Sequence, residues 1–503
     1  MPSEDFDNST KDQIIKDSSK FITSVYLGNI TGIITGIVTR KFLGPTLMGV
    51  WSYIQVIQYY FNLSNLGILS AAERELPYYF GKKDQAKSEK IKNNAFAFTF
   101  VISLLIFSGL VTYAFEVKYR VSTPYFYGLL TVAILASGGQ YGLFYTVLLR
   151  ANQNFSILSQ AKVIFALIWL VLTLSLVVPF NIYGIYLVAI VVMIVDISFC
   201  YYKTRYPLKF ELDIRELKRL FVIGAPLILL SVGIISVRNI DKIFIANMLG
   251  SEQLGYYSIA IMASDYIFSI PATFSIVMFP RFQESYALKD NIIDIQNFVN
   301  TPTQVLSYFI AVVIGFGFLI LPPIVIVILP QYIEGIVALK ILLLGTFFVS
   351  LTHMSNQFLI TLNKQIYIIP LILFVVAVGC LLDYLFIKWG YGINGVAIGT
   401  GIANFLYYLL ILGYAMLHYA DIKLILKFMA GNLFPLLLIT GFLLVITWFV
   451  PLNPNSWLSL FISTIFRVLL FGILCLPLLW HIDRKTGVLK RVFKIIREKM
   501  THQ

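Results

Sequence analysis

The chain has 503 residues, of which 58% are hydrophobic and only 13% are charged. Soluble domains carry about a quarter of their residues as Asp, Glu, Lys and Arg, so this composition excludes an ordinary soluble protein and indicates a membrane protein. The formal net charge of +13 does not indicate a nucleic-acid-binding surface, because the basic residues are dispersed over the loops between apolar stretches, with no nucleic-acid-binding motif around them.

A helix needs about 20 predominantly apolar residues to cross the roughly 30 Å hydrocarbon core of a bilayer. The sequence contains fourteen such stretches, which we number spans 1 to 14. Their approximate ranges are 19–40, 47–73, 94–115, 124–149, 157–178, 183–202, 219–246, 255–278, 300–322, 333–361, 366–388, 393–417, 422–450 and 457–480. The predicted fold class is therefore all-α, a polytopic membrane protein with about 14 transmembrane helices. The region around Pro322 and Pro323 allows another division.

The first twenty residues, MPSEDFDNSTKDQIIKDSSK, are polar and partly acidic. A cleavable signal peptide begins instead with basic residues followed by a short apolar segment, so we do not expect this leader to be one. Cys200, Cys380 and Cys475 all lie inside apolar spans, and a disulfide framework is not expected.

The basic residues predict the orientation of the chain in the membrane. Most of the 38 Lys and Arg residues lie in the leader, in the loops after even-numbered spans and in the C-terminal tail. The opposite side receives Arg40, Lys41, Lys118, Arg120 and Lys388. By the positive-inside rule, both termini are predicted to be cytoplasmic, in a multi-pass protein of the plasma membrane.

The C-terminal tail, residues 481–503, contains the segment RKTGVLKRVFKIIREKM. Its apolar residues recur at helical spacing, and Lys and Arg occupy the other face. This pattern predicts a basic amphipathic helix that lies on the anionic lipids of the cytoplasmic leaflet. The alternative is a solvated helix without a partner.

One short phrase occurs twice, as LGPTLMGVWS at residues 43–52 and as LGSEQLGYYS at residues 249–258. The offset of 206 also aligns Asn94 with Asn300. The phrases follow spans 1 and 7, and since six spans separate the copies, the two halves are predicted to have the same orientation. Parallel repeats are typical of transporters whose substrate sites lie between the halves.

Within each phrase, the glycines are expected to let the chain turn sharply between two helices. The aromatic residues Trp51, Tyr256 and Tyr257 suit the aromatic belt found at membrane–water interfaces. Stacking on a sugar ring is the alternative function of these three side chains.

Three segments carry a resemblance to a known family: TRKFLGPTLMGVWSYIQVI, NLGILSAAEREL and RNIDKIFIANMLGSEQLGYYSIAIM. They resemble the polysaccharide or O-antigen flippase branch (Wzx-type, polysaccharide transporter family) of the multidrug/oligosaccharidyl-lipid/polysaccharide exporter superfamily. The resemblance covers nearly the whole chain. It implies two six-helix bundles around a central cavity that opens alternately to either side, lined by spans 1, 2, 7 and 8.

The same resemblance implies the function and the partners. A polyprenyl-pyrophosphate-linked oligosaccharide is expected to move from the cytoplasmic to the outer leaflet, for surface polysaccharides such as O antigen or exopolysaccharide. Polysaccharide-assembly proteins and membrane lipids are the expected partners, and nucleic acid is not. The expected domains are an N-terminal bundle at 1–205, a C-terminal bundle at 206–417, two additional helices at 418–480 and the tail.

Charged residues inside apolar spans mark the candidate site, since such groups are costly and usually face a cavity or one another. Span 7 carries Arg238, Asp241 and Lys242, whose spacing places them along one helical face, and span 8 adds Asp265. We expect Arg238 and Lys242 to attract the pyrophosphate or acidic sugars. Asp241 and Asp265 are expected to keep these cations oriented or to respond to protons or sodium. The alternatives are a structural salt-bridge cluster, or wetting of Asp241 and Lys242 at the outer surface.

Arg74, at the end of span 2, is a further candidate for contact with the substrate headgroup at the cytoplasmic mouth, although an ordinary topogenic arginine is an alternative. Four other charged residues stand alone on their spans and are weaker candidates. These are Asp196, Lys340, Asp383 and Arg467. Contacts between helices or snorkelling to an interface explain them as well as a role in the site does.

A multi-pass polysaccharide polymerase or glycosyltransferase is the alternative from another functional class. Such chemistry needs paired carboxylates or histidines on loops that reach the substrate, whereas the predicted outer loops are mostly short and the four histidines form no recognisable constellation. The sequence also lacks the P-loop motif of nucleotide hydrolases. We expect no enzyme activity, cofactor or metal. A cation-coupled multidrug exporter of the same superfamily is the second alternative.

Overall fold

A computed structural model of the chain describes residues 8–152, 154–204, 206–289, 292–452 and 456–486. Its α-helices, in chain order, are α1 (Asn8–Phe61), α2 (Ile68–Gly81), α3 (Gln85–Val117), α4 (Thr123–Ala151), α5 (Phe155–Thr204), α6 (Ile214–Met248), α7 (Ser251–Lys289), α8 (Ile292–Ile328), α9 (Ile336–Ser350), α10 (Thr352–Thr361), α11 (Gln365–Lys388), α12 (Gly392–Met416), α13 (Ile422–Phe449) and α14 (Trp457–Thr486), with a 3-10 helix at Pro330–Gly335. The all-α prediction is thus confirmed over the described residues, which contain no β-strand.

The helices match the predicted spans closely. Ten of the described helical segments are long and apolar enough to cross a membrane. Two helices, α1 and α5, each contain a sharp internal turn, at Gly44 and at Asn181, and so each provides two rods. This course of the chain is consistent with fourteen spans, and the protein is a multi-pass membrane protein.

The first glycine of each repeated phrase is where the chain turns. Gly44 has a φ of 67°, and Gly250, between α6 and α7, has a φ of 93°. A side chain with a Cβ is disfavoured in this left-handed region, so glycine is the natural residue at both turns. The turns predicted from the two phrases are therefore present.

Span 2 is not one continuous helix, contrary to the prediction. α1 ends at Phe61, and α2 begins only after a turn at residues 62–67, where Gly67 has a φ of 81°. The amide of Gln140 donates to the Phe61 carbonyl over 2.9 Å, and the Asn65 side chain accepts from the Gly67 N–H over 3.0 Å. A break inside a membrane is tolerated when side chains satisfy the freed backbone groups in this way.

The prolines near the end of span 9 do not end the helix, because α8 continues through Pro322 and Pro323 to Ile328. Span 10 is instead divided into the 3-10 helix, α9 and α10, with Leu351 between the last two. The predicted spans therefore coincide with helices of the structure, but the interruptions within spans 2 and 10 were not predicted.

The chain forms two compact units, an N-terminal unit at Met1–Ser258 and a C-terminal unit at Ile259–Gln503. The boundary falls inside α7, so the N-terminal unit contains α6 and the first residues of α7, which the sequence-based division at residue 206 assigns to the second bundle. That division rests on the repeat and stays a prediction. The amphipathic helix predicted for the tail lies outside the described residues beyond Thr486.

In the N-terminal unit, α1 packs against α5, α3 packs against α4, and α6 packs against both α1 and α2. Between α2, α3 and α4 lies a buried apolar cluster that includes Leu76, Ile91 and Leu148. Gly67 lies against Gly224 of α6, where a Cβ on either residue would overlap the other's backbone. Small residues permit such close approach, which is a main source of helix association in membranes.

In the C-terminal unit, α12 packs against α9 and α11, while α13 and α14 pack against α8. Phe471 of α14 contacts Gly315 and meets Phe316 edge to face, with ring centroids 5.0 Å apart. The two additional helices are thus attached to this unit through α8.

Each unit contains one of two hydrogen bonds that occupy equivalent positions in the repeat. In the N-terminal unit, the Asn94 side chain accepts from the Asp213 backbone N–H over 2.6 Å. In the C-terminal unit, the Asn300 side chain accepts from the Tyr419 hydroxyl over 2.9 Å. Both residues of the second pair follow those of the first at the offset of 206, and this correspondence supports the repeat.

Candidate substrate and ion site

The N-terminal part of the site begins with a polar face on α1. Thr31, Thr35 and Thr39 recur every fourth residue and are all buried. The Thr31 and Thr35 hydroxyls donate to backbone carbonyls of the preceding turn, which satisfies them within their own helix. The next residue after this face is Arg40.

Arg40 is buried, with 6% of its surface exposed. Its Nε donates to the Ser258 hydroxyl over 3.1 Å, its Nη2 donates to the Ser258 carbonyl over 2.8 Å, and its Nη1 donates to the Gly36 carbonyl over 3.0 Å. Arg40, which the basic-residue distribution assigns to the side opposite the cytoplasm, lies inside α1 before the turn at Gly44 and not in a loop.

Arg40 binds Ser258, and the preceding residue, Tyr257, contacts one of the predicted site residues, Asp241. Asp241 and Lys242 of α6 are 3% and 7% exposed, which excludes the alternative that both are wetted at the outer surface. The Tyr257 hydroxyl donates to the Asp241 carboxylate over 3.0 Å, and the Lys242 ammonium donates to the Asn239 amide oxygen over 2.8 Å. We call these residues, with Arg40 and Ser258, the buried polar cluster.

The Lys242 side chain has an uncommon environment for a buried cation. In the part of the chain that the structure describes, its ammonium forms no ion pair, and its hydrogen-bond partner is the neutral amide of Asn239. The Lys242 backbone N–H, not its ammonium, donates to the Asp241 carboxylate, over 2.8 Å. The Asp241 carboxylate and the Lys242 ammonium therefore form no salt bridge with each other, and the structural salt-bridge cluster named as an alternative would not be held together by this pair.

The remaining predicted site residues have different environments. Arg238 lies one turn before Lys242 on α6 and is half-buried, and Asp265 is a half-buried residue of α7 in the C-terminal unit. Arg74 is exposed on α2, and its neighbours in sequence, Glu73 and Glu75, form salt bridges with other residues. Within the N-terminal unit, Arg238 thus extends the buried polar cluster along α6, whereas Arg74 belongs to the surface.

Two aromatic residues of the repeated phrases, Trp51 and Tyr257, are buried in the protein and do not face the lipid as residues of an aromatic belt would. Trp51 is 4% exposed and contacts the Tyr186 ring, while Tyr257 is fully buried against Asp241. Tyr256 is half-buried, and its hydroxyl donates to Glu252 over 3.0 Å. Burial shows that Trp51 and Tyr257 serve helix packing and the buried polar cluster.

The second glycine of each phrase brings the two copies into contact. Gly49 lies against the backbone of Ser251 and Gly255, and Gly255 lies against the backbone of Pro45. A Cβ on either glycine would overlap those backbone atoms, which cannot move as a flexible side chain can. The close approach of α1 and α7 at this point therefore depends on the repeated glycines and holds Ser258 within reach of Arg40.

Two of the four isolated intramembrane charges, Arg467 and Lys340, have local contacts that accommodate them. Arg467 is buried on α14 and donates to the Val450 carbonyl at the end of α13. The Lys340 ammonium lies 5.0 Å from the centroid of the Phe318 ring. Cations placed at carbonyls and over aromatic rings satisfy their charge within the helix bundle, and neither residue forms part of the buried polar cluster.

A second group of charges lies on the face predicted to be cytoplasmic, and we call it the ion-pair cluster. Its members, on α2, α3 and α6 and in the linker before α6, are Glu75, Lys87, Lys90, Asp213, Glu216 and Arg219. Arg219 pairs with Glu75 and Glu216, both at 2.7 Å. The hydrogen bond from Lys90, helped by the Arg215 backbone N–H, holds the pKa of Asp213 below its usual range.

These observations define what the buried polar cluster can do chemically. Cations taken out of water act on an anion through a lower dielectric than exposed lysines do, and so attract it more strongly. Where a neutral amide is the partner of the cation, an anionic group can replace it without displacing a carboxylate. The cluster is therefore suited to binding a phosphate or another anion. Among the described residues, no group of three or more His, Cys, Asp or Glu side chains is placed to hold a metal ion.

Comparison with known proteins gives one family and a set of related folds. Residues 14–286 match the family model described as polysaccharide biosynthesis protein. No curated protein sequence matches significantly.

Among solved structures, the fold is similar to that of the lipid II flippase MurJ in an inward closed conformation, with a TM-score of 0.66 and 15% identity over 90% of this chain and 97% of the other. A multidrug resistance MATE family transporter of the MOP superfamily, inward-facing, gives a TM-score of 0.66 at 12% identity, covering 81% and 99%. A MOP superfamily transporter from Pyrococcus furiosus gives a TM-score of 0.58 at 13% identity, over 80% of this chain and 95% of the other.

Proposed function

The chain belongs to the polysaccharide biosynthesis protein family, and from that premise we propose that it is a flippase for a lipid-linked oligosaccharide. The cargo is a polyprenyl-pyrophosphate-linked oligosaccharide that moves from the cytoplasmic to the outer leaflet, for synthesis of a surface polysaccharide. The similarity in fold to a lipid II flippase supports this cargo class. No enzymatic step forms part of the proposal.

The observation that carries the proposal is the environment of Lys242. A buried ammonium normally needs a carboxylate or several hydrogen bonds to offset its lost hydration. Lys242 is 7% exposed, and over the described residues its ammonium is held by the Asn239 amide alone. A site that keeps positive charge buried with a neutral partner is costly, and binding of an anionic pyrophosphate would offset that cost.

We assign each predicted site residue a role within this mechanism. Arg238 and Lys242 bind the pyrophosphate, Arg238 through its planar guanidinium and Lys242 by exchanging its bond to Asn239. Asp241, fixed by the Tyr257 hydroxyl, keeps the attraction moderate so that the anion can leave. Arg74, exposed on α2, meets the headgroup at the cytoplasmic mouth.

The driving force need not come from nucleotide hydrolysis. A pyrophosphate diester carries about two negative charges, and an inside-negative potential favours their outward movement by roughly 2.3 kcal/mol per charge per 100 mV. Asp241 and Asp265 are the candidates for additional coupling to protons or sodium, since both are carboxylates on membrane-spanning helices. Both termini are placed in the cytoplasm in this proposal.

The test uses the purified protein in liposomes that contain a fluorescent undecaprenyl-pyrophosphate oligosaccharide. Movement between leaflets is measured as the fraction of label that a membrane-impermeant quencher reaches, with and without a potential. We expect faster equilibration than in protein-free liposomes and acceleration by a potential of the favourable sign. Equilibration at the protein-free rate under both conditions would contradict the proposal.

A cation-coupled multidrug exporter is the second candidate, favoured by the similarity in fold to a MATE family transporter. The same liposomes distinguish the two functions. Uptake of a lipophilic cation such as ethidium, driven by a proton or sodium gradient, would support the exporter. The buried cations Arg40 and Lys242 favour the anionic cargo instead, because they would repel a cationic drug.

A further inference from the structure

A cavity of about 450 Å³ lies beside the ion-pair cluster, on the face predicted to be cytoplasmic. The end of α2, the first turns of α3, the end of α4 and the linker before α6 enclose it. The residues that define its chemistry are Tyr79, Lys83, Glu89, Lys92 and Tyr206. We call this cavity the basic pocket, and none of the roles assigned above uses it.

The basic pocket carries a positive charge that its own residues do not neutralise. Lys92 is half-buried, and among the described residues it forms no ion pair. Lys83 is exposed at the rim and also lacks an ion pair within that part of the chain. Glu89 is the one carboxylate in the lining, and it is exposed and accepts from the Gln85 amide over 3.1 Å. The lining therefore contains two lysines, Lys83 and Lys92, and one carboxylate, Glu89, which leaves an excess of positive charge.

The turn after α2 places Lys83 at the rim of the basic pocket. Lys83 has a φ of 57°, the left-handed conformation that commonly ends a helix. Its N–H donates to the Phe80 carbonyl over 3.0 Å, and the Asp84 N–H donates to the Tyr79 carbonyl over 3.1 Å. The end of α2 therefore fixes the backbone from which the Lys83 ammonium extends.

Aromatic side chains line the pocket between these cations. The Lys92 ammonium lies 6.0 Å from the centroid of the Tyr206 ring, and the Arg219 guanidinium lies 5.9 Å from that of Tyr79. The Tyr206 phenol is protonated at neutral pH, as tyrosine ordinarily is, and can donate a hydrogen bond; burial raises its pKa further. The pocket thus combines two ammonium groups with a phenol donor, a combination suited to a phosphate ester.

Exposed aromatic side chains near the pocket indicate where the phosphate comes from. Phe80 lines the pocket, and Tyr78 precedes it on α2; both are exposed. The end of α5 carries two more exposed tyrosines, Tyr201 and Tyr202. Such aromatic residues are typical of the headgroup level of a bilayer, and the cytoplasmic leaflet is rich in anionic lipids. This composition favours a phospholipid headgroup as the source of the phosphate.

We propose that the basic pocket binds the phosphate of an anionic phospholipid headgroup from the cytoplasmic leaflet. Lys92 and Lys83 contact the phosphate oxygens, and the Tyr206 hydroxyl donates to them. The bound lipid joins α2 and α3 to the linker before α6, next to the ion-pair cluster. This site is separate from the buried polar cluster and does not depend on which cargo the protein transports.

Native mass spectrometry of the full-length protein tests the proposal, with phosphatidylglycerol and phosphatidylcholine of the same acyl chains as probes. We expect one phosphatidylglycerol to bind about tenfold more tightly than phosphatidylcholine, as for a charge-assisted contact. Lys92→Met keeps the apolar stem and removes the charge, and it should abolish most of this preference. Lys209→Ala, an exposed lysine on the same linker, is the matched control and should leave the preference intact.

Three results would overturn the proposal. They are equal binding of the two lipids, an unchanged preference in Lys92→Met, and an equal loss in Lys209→Ala. Glycerol phosphate distinguishes the source of the phosphate, since displacement of phosphatidylglycerol at matched concentration would assign the pocket to a soluble phosphate ester. Should Lys92→Met unfold, Tyr206→Phe removes only the hydroxyl donor and should weaken phosphatidylglycerol binding without changing phosphatidylcholine binding.

Discussion

The buried polar cluster and the ion-pair cluster hold charged side chains of the N-terminal unit in different ways. In the ion-pair cluster, each cation faces a carboxylate, and the pair Lys90–Asp213 is 38% and 30% exposed. In the buried polar cluster, Asp241 and Lys242 are almost fully buried, and hydroxyl, amide and backbone groups hold them. Exposed pairs contribute little stability each, whereas a buried charge is costly to leave without its partners.

This difference indicates a structural role for the ion-pair cluster and a functional role for the buried polar cluster. The ion-pair cluster is neutralised by its own members, and it fixes the linker and α6 against α2 and α3. The buried polar cluster keeps cations in a low dielectric, which structure alone does not require. Large effects on stability or transport are therefore expected from changes in the buried polar cluster, and small effects from neutralising the exposed pair Lys90–Asp213 of the ion-pair cluster.

The largest effect on stability is expected for Asp241→Ala. The substitution leaves the Tyr257 hydroxyl and the Lys242 backbone N–H without their buried acceptor, which costs about 2–4 kcal/mol for hydrogen bonds to a charged group. Thermal unfolding of the purified protein and its abundance in the membrane measure the loss. Asp213→Asn is the matched control, because it removes the charge paired with Lys90 and keeps a side-chain oxygen at the N-cap of α6. An equal loss in both variants would remove the distinction between the two clusters.

A smaller but clear effect is expected for Gly255→Ala. The added methyl group would overlap the Pro45 carbonyl, so α1 and α7 must separate, at a cost of about 1–3 kcal/mol. Gly109→Ala in α3 is the control, because a Cβ there meets no atom within 4 Å and alanine favours a helix over glycine by about 0.5–1 kcal/mol. The unfolding temperature should fall in the first variant and stay or rise in the second; the reverse order would contradict the assigned contact.

The smallest effect is expected from the titration of Asp213. Lys90 lowers the pKa of this carboxyl in the folded protein, so the ion pair stabilises the fold above the unfolded-state pKa of about 3.9. That contribution is lost as the pH falls through the lower, folded-state value. Between pH 6 and pH 3, the unfolding temperature of the wild type should therefore fall slightly more than that of Asp213→Asn. Identical pH profiles would show that the pair does not stabilise the fold.

Much of the fold could be predicted because membrane insertion depends on the summed hydropathy of about 20 residues. The spans, the all-α class and the turns at Gly44 and Gly250 follow from composition and spacing. The break at residues 62–67 could not be predicted, because the side chain of Gln140, from another helix, satisfies the freed carbonyl. Long-range hydrogen bonds of this kind leave no local pattern.

The candidate site could be predicted only in part, because its intramembrane charges are visible in the sequence but its contacts between helices are not. Asp241 and Lys242 are visible as charges within an apolar span. Arg40 lies at the end of span 1, where a basic residue normally marks the membrane surface, and only the structure shows that it is buried. The four-residue spacing of Thr31, Thr35 and Thr39 was the available signal, since it marks a polar face that leads to Arg40. Which face meets Ser258 depends on tertiary packing.

The most direct test of the account is transport by the Arg238→Ala, Lys242→Ala double variant. In liposomes with the lipid-linked oligosaccharide, normalised to the protein inserted, we expect its rate to fall below about one tenth of the wild type, a loss of at least 1.4 kcal/mol. Arg238→Lys should retain part of the rate, because the charge persists while the planar guanidinium is lost. Lys118→Ala, Arg120→Ala, which removes two exposed cations, should transport normally. An unchanged rate in the Arg238→Ala, Lys242→Ala variant would contradict the assignment of these cations to the substrate.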